Sequence, residues 1–218
     1  DYRLAPVGVT FKKAARELYI VRSKLWMYDT INPATGEPTG FPTPSGKIEL
    51  SSTILEKLGY DPLPFYEEPP ESPVSAPEVF KDYPLILTTG GRFRPFFHSE
   101  NRQLGIGTRE KHPDPLLHIH PDTARDLHIE DGDWVCIETR RGVITQKARL
   151  TADMHPQVVN AESHWWFPEQ PAEEPSLHGV WQSNVNVLTM DDPDTCDPLS
   201  GGWCLRALLC KVYRAPKP

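Results

Sequence analysis

The stretch Leu85–Arg102, LILTTGGRFRPFFHSENR, opens as a strand and continues as a loop suited to a ligand. Leu85, Ile86 and Leu87 are apolar and partly β-branched, Thr88 and Thr89 extend the run, and Gly90-Gly91 close it. A short apolar run bounded by glycines reads as a buried strand. Arg92, Arg94, His98, Ser99, Asn101 and Arg102 then bring a dense set of donors. Glycines let a backbone approach a ligand closely and expose its N–H groups. Arginines beside them suit phosphate or another planar anion. The plain alternative is an arginine-bearing surface loop after a glycine turn, and this stretch alone leaves both open.

Composition narrows the function classes. The chain has 218 residues and a net charge of −7, which argues against nucleic acid as a partner. No apolar run has the length of a membrane span, so no direct membrane insertion is expected. The chain starts at Asp1 without a signal-peptide pattern, and its natural start is expected to lie upstream. Cys136, Cys196, Cys204 and Cys210 form no C-x-x-C pair and show no zinc or iron–sulfur spacing. They read as structural thiols, with no metal site among them.

Phe11–Tyr28 places Ala14, Leu18, Val21 and Leu25 on one face of a helix. Pro44-Ser45-Gly46 predicts a turn, and Lys47–Leu50 a short strand. Ser52 or Thr53 then caps a helix, with Glu56 placed for a capping box and Gly59 as its stop. Seven prolines between Asp61 and Pro84 predict an extended connector with neither regular helix nor central strand. This divides the chain into an N-terminal helical and extended segment with its connector, residues 1–80, and a second domain, residues 81–218.

Beyond the opening stretch, Leu117–Pro121 reads as a strand leading into a helix over Thr123–Leu127, capped by Asp122. Trp134–Glu138 and Val143–Leu150 alternate around Arg141-Gly142 as a β-hairpin, with Ile144, Ala148 and Leu150 on one face. Val158 starts another strand and Cys204–Tyr213 forms the last. Trp165, Trp166 and Phe167 are adjacent and cannot share one buried face, because neighbours in an extended chain point opposite ways. They cover a ligand or another domain, or they plug the core. Gln182–Thr189 alternates polar and apolar, which puts Asn184 and Asn186 on one face. Their amides can read a heterocycle edge, or they cap turns. Asp191, Asp192, Asp194 and Asp197 read mainly as turn carboxylates, with one or two available to a ligand's N–H groups.

Six segments occur in a telling order: FPTPSGKIEL, LTTGGRFRPFFHSENR, HIHPDTARDLHIEDGDWVCIETRRGVI, AESHWWFPE, SNVNVLT and DPLSGGWCLRALLCKVY. Together they resemble the C-terminal part of the catalytic subunit of the molybdopterin oxidoreductase, or dimethyl-sulfoxide-reductase, family. The resemblance implies a mainly β fold: a six-stranded double-psi β-barrel with short helices and an extended N-terminal segment. It implies molybdopterin guanine dinucleotide as ligand, usually two copies holding one molybdenum or tungsten through parts of the enzyme outside this chain. Thr89, Gly90, Gly91, Arg92, His98, Ser99 and Arg102 would approach the cofactor, as would His164, Trp165, Asn184, Asn186 and Asp197. The family often carries glycine where this chain has His164. No catalytic residue and no metal ligand is matched, so the chain is expected to be a domain of a larger enzyme and not catalytic alone. The implied partners are the remaining domains of the catalytic subunit and an iron–sulfur electron-transfer subunit. Two alternatives remain: a freestanding double-psi barrel for protein interaction, and the same cofactor domain in a non-redox hydratase or hydroxyl-transferase relative.

Overall fold

The computed structural model describes residues 31–91, 107, 109–197 and 199–216. The helix expected at Phe11–Tyr28 and the donors Arg92, His98, Ser99 and Arg102 lie outside them. The chain divides into two compact units, Asp1–Tyr66 and Glu67–Pro218.

In the first unit, α1 (Thr53–Lys57) begins at Ser52, whose hydroxyl accepts from the Leu55 N–H at 3.3 Å. The strand expected at Lys47–Leu50 is absent. Those residues instead sit in a local network in which Thr43 Oγ1 donates to the Lys47 carbonyl at 2.6 Å. There the Ser45 N–H also donates to the Glu49 carboxylate at 3.1 Å. Side chains that bond nearby backbone compete with a ladder, and among the described residues no partner strand opposes them.

The second unit opens with the proline-rich segment, and here the expectation of no helix fails. Pro77–Asp82 forms α2 with Pro77 in its first turn, where a missing N–H costs nothing. Just before it, the Glu71 carboxylate accepts from both terminal nitrogens of Arg141 at 2.8 and 2.9 Å. Arg141 also donates from Nε to the Leu188 carbonyl at 3.0 Å. The segment is thereby tied to the turn of the hairpin that follows.

Six strands close the barrel: β1 (Leu85–Gly91), β2 (Leu116–Ile119), β3 (Trp134–Glu138), β4 (Val143–Leu150), β5 (Val158–Glu162) and β6 (Arg206–Arg214). A short helix, α3 (Pro121–Asp126), follows β2. Around the barrel the order is β1-β5-β2-β4-β3-β6. The β1/β5 and β2/β4 pairs are parallel and the other four antiparallel, the mixed pattern of a double-psi barrel. Closure leaves no strand edge unpaired. Alternate residues fill the interior: Leu85 and Leu87, Leu117 and Ile119, Val135 and Ile137, Ile144 and Ala148, Val159 and Ala161, Leu208 and Val212. Among the described residues, no helix is long and apolar enough to cross a membrane.

Gln182–Thr189 is not extended. It comprises the end of α4 (Val180–Ser183) and a 3-10 turn over Val185–Val187. Val185 and Leu188, three residues apart, reach the core together, so the apparent alternation was a helical period read as a strand's.

Candidate functional site

The two glycines that end β1 differ in the space around them. A Cβ on Gly91 would lie 3.1 Å from Glu162 Cα and 3.2 Å from the Ala161 carbonyl oxygen, so a side chain there would require β1 and β5 to give by a few tenths of an ångström. A Cβ on Gly90 would instead meet the guanidinium of Arg206 at 3.5 Å. That is ordinary van der Waals contact, so the Arg206 guanidinium borders Gly90 without excluding a side chain there. Thr89 is nearly buried, and its hydroxyl is committed to the Leu205 carbonyl. At the end of β5, Ser163 donates its N–H to the Gly91 carbonyl at 3.0 Å. The next residue, His164, thus starts where β1 ends.

His164 is one wall of a cavity of about 360 Å³, lined also by Trp166, Leu177, His178, Val180 and Asn184. Backbone strain gathers here. Five non-glycine described residues have positive φ, and three line this cavity: His164 at 62°, Leu177 at 45° and His178 at 55°. Each such conformation costs roughly 1–2 kcal/mol and survives only where its surroundings enforce it. The enforcing contacts are present. The Ser163 hydroxyl and His164 Nδ1 share a hydrogen bond of 2.7 Å. His178 donates its N–H to the Pro171 carbonyl at 2.8 Å, and its Nδ1 pairs with the Gln170 carbonyl at 2.9 Å. Its ring meets Trp166 edge-on, with centroids 5.3 Å apart.

The remaining expected residues fall in distinct places. Asn184 is half-buried on the cavity wall, and its side-chain oxygen accepts from the Asn186 N–H at 3.0 Å. Its NH2 group is the part it can offer a ligand. Asn186 is exposed and does not line the cavity. Trp165 is wholly buried, with the Arg109 guanidinium 4.9 Å from its ring centroid and His112 edge-on at 5.7 Å. Of the tryptophan pair, then, Trp166 faces the cavity and Trp165 the interior. Asp197 is exposed in a turn, accepting from the Ser200 N–H and hydroxyl at 2.6 and 2.7 Å and from the Leu199 N–H at 3.2 Å. The bond from the Ser200 N–H leads those that hold its carboxyl below the ordinary value.

Two residues before His164 the Glu162 carboxylate is buried and hydrogen-bonded. Glu162 accepts from His112 Nε2 at 2.8 Å and from the Leu116 N–H at 3.0 Å. Burial pushes the neighbouring His118 down, against the pull of Glu162. A second concavity of about 410 Å³ lies beside Glu71, Arg140, Arg141 and Asp191. It lacks the connection to Gly91, and its Arg141 guanidinium is already engaged by Glu71 and Leu188. Among the described residues, no three His, Cys, Asp or Glu side chains are grouped to hold a metal ion. Reading the sequence named Trp166 as one of three adjacent aromatics without separating it from Trp165, and missed His178, Arg206 and Gln146. Only Gln146 carried a signal, a polar residue at an inward position of an alternating strand.

Comparison with known proteins gives this rim a context. Residues 85–208 match the model of the molydopterin dinucleotide binding domain. The chain is 37% identical over 216 residues to acetylene hydratase of Syntrophotalea acetylenica, covering 98% of this chain and 29% of that protein. It is 43% identical over 180 residues to dopamine dehydroxylase of Eggerthella lenta, covering 81% of this chain and 17% of that protein. The solved structure of acetylene hydratase from Pelobacter acetylenicus superimposes with a TM-score of 0.75 at 36% identity, over 85% of this chain and 25% of that one. The chain thus spans less than a third of the length of these relatives. With the barrel, its closing glycines and the family match in agreement, the chain belongs to the molydopterin dinucleotide binding domain family of the molybdopterin oxidoreductases.

Proposed function

We propose that the rim of Gly90, Gly91, Arg206, His164, Trp166 and Asn184 holds one face of molybdopterin guanine dinucleotide within a larger catalytic subunit. The observation that carries this is the left-handed strain at His164, Leu177 and His178 around one cavity, whose wall residue His164 directly follows Ser163, bonded to Gly91 at the end of β1. The donor set fits the group. The Arg206 guanidinium and the backbone beside it suit diphosphate oxygens. The Trp166 ring and the Asn184 amide suit a flat heterocycle with mixed donors and acceptors. By family resemblance, Arg92, His98, Ser99 and Arg102, which follow Gly91 in sequence, add donors to the cofactor. When bound, the cofactor supplies the molybdenum or tungsten centre and the pterin chemistry. This chain's residues bind and orient it, and the metal ligands come from the rest of the subunit. An iron–sulfur electron-transfer partner belongs to the same reading.

The similarity to acetylene hydratase over 98% of this chain favours a second reading of the whole enzyme, in which the cofactor serves hydration without net redox. Whether turnover by the full-length subunit consumes an electron donor or acceptor separates the two.

The binding role is tested with Arg206→Ala in the full-length subunit. A lost charge-assisted bond of about 1.5–3 kcal/mol lowers cofactor affinity roughly 10- to 150-fold. Pterin content per subunit should fall while the melt of the cofactor-free protein stays put. Full occupancy would remove Arg206 from the site.

A further inference from the structure

We propose that Gln146 is a positioning residue: its side-chain amide clasps the two loops that carry His164 and Asn184 and sets the distance between them. The clasp is a property of this chain, and its consequence for the cofactor rests on the function proposed above.

Gln146 lies on β4 between Ile144 and Ala148, pointing inward, and is wholly buried. An apolar residue would be expected there, since a buried amide is costly unless its hydrogen bonds are made. They are made, to the main chain of two separate segments. Oε1 accepts from the Glu162 N–H at 3.0 Å, and Nε2 donates to the Glu162 carbonyl at 2.8 Å. The same Nε2 donates to the Ser183 carbonyl at 3.2 Å. A second tie runs alongside, from the Ser183 hydroxyl to the Thr145 carbonyl at 2.6 Å.

The topology explains why a side chain does this. β4 and β5 are not neighbours in the barrel, because β2 stands between them. The β2/β5 ladder pairs Leu117 with Ala161 and His118 with Asn160 and stops there. At the next position the Leu116 N–H goes to the Glu162 side chain. The main chain of Glu162 is left without that strand, and the Gln146 amide takes the place of a ladder rung. Only an amide offers a donor and an acceptor side by side as a peptide does, and asparagine is one methylene too short. His164 follows two residues after Glu162, and Asn184 one residue after Ser183. The clasp therefore holds both cavity walls from behind without touching the cavity.

The test compares Gln146→Met, which keeps length and removes the bonds, with Ile144→Val, a core change on the same strand that leaves the clasp intact. Amide exchange is followed in the cofactor-free 218-residue chain. Gln146→Met should speed exchange about tenfold or more at both Glu162–His164 and Ser183–Asn186, with β1 and β6 unchanged. Ile144→Val should not. In the full-length subunit, Gln146→Met should also lower cofactor content several-fold where Ile144→Val leaves it unchanged. Faster exchange in one loop only, or equally throughout the barrel, overturns the clasp. Loosened loops with full cofactor content overturn the positioning role. A wild-type subunit without cofactor would refute the proposed function instead, and the exchange result would still judge the clasp. If Gln146→Met does not fold, Ser183→Ala decides: it removes the second tie, should loosen Ser183–Asn186 alone, and overturns the proposal if it does not.

Discussion

Replacing Glu71 by Gln should destabilise the barrel more than any surface change on it. Glu71 is 6% exposed and joined to Arg141 by two parallel bonds of 2.8 and 2.9 Å. Losing the charge leaves a mostly buried guanidinium with the Leu188 carbonyl, at 3.0 Å, as its anchor on that side. Removing one partner of a buried pair costs about 3–5 kcal/mol, and because water still reaches part of Arg141 the lower end applies, about 3 kcal/mol. For a chain of this size that is roughly 6–12 °C in Tm. Burial alone would raise the Glu71 carboxyl, but the hydrogen bonds and charge of Arg141, with smaller help from the Leu209 N–H and Arg140, hold it below the ordinary value. The sign of the pH effect follows. A depressed carboxyl contributes stability that is complete above its unfolded pKa and is lost as pH falls through the folded one. The gap between wild type and Glu71→Gln should hold from neutral pH down to the ordinary glutamate range, then narrow in more acid solution. Thermal or urea melts across that range measure it. A Tm within a degree or two of wild type at neutral pH, or a gap that widens in acid, would refute the reasoning.

Two further outcomes are accessible on the same chain. At His164, with φ of 62°, glycine should be more stable than alanine by about 1 kcal/mol, since both lose the bond to Ser163 and only alanine keeps the strain; denaturation midpoints decide. Cys136 and Cys210 are buried and burial pushes both thiols up, while Cys196 and Cys204 are partly exposed. A thiol reagent at neutral pH should therefore label two cysteines quickly, and mapping should find Cys196 and Cys204.

The barrel was legible because its strands obey a two-residue period. Leu85 and Leu87, Ile144 and Ala148, and Val135 and Ile137 each take inward positions that the alternation marks in advance. The failures share a cause: a local pattern whose meaning is set by a distant partner. Lys47–Leu50 looks extended, but a strand needs a neighbour, and among the described residues none opposes it. Pro77 reads as a breaker until its place in the first turn of α2 is known. Glu71 sits among prolines, and nothing near it in sequence announces a partner 70 residues away.

The site shows the same limit more sharply. That Trp165 and Trp166 face opposite ways follows from the chain's geometry alone. Which of them reaches the cavity depends on where β5 ends, and that is fixed by Gly91, Glu162 and Gln146 from three different strands. His164 illustrates it from the other direction. The glycine that the family resemblance implies there would fit a left-handed position, and the chain adopts that conformation with a histidine, held by Ser163. A glycine would reach the same shape without strain but would bring no imidazole to the cavity. The strain kept at His164, held by its bond to Ser163, is what supports giving its imidazole a place in the proposed cofactor rim.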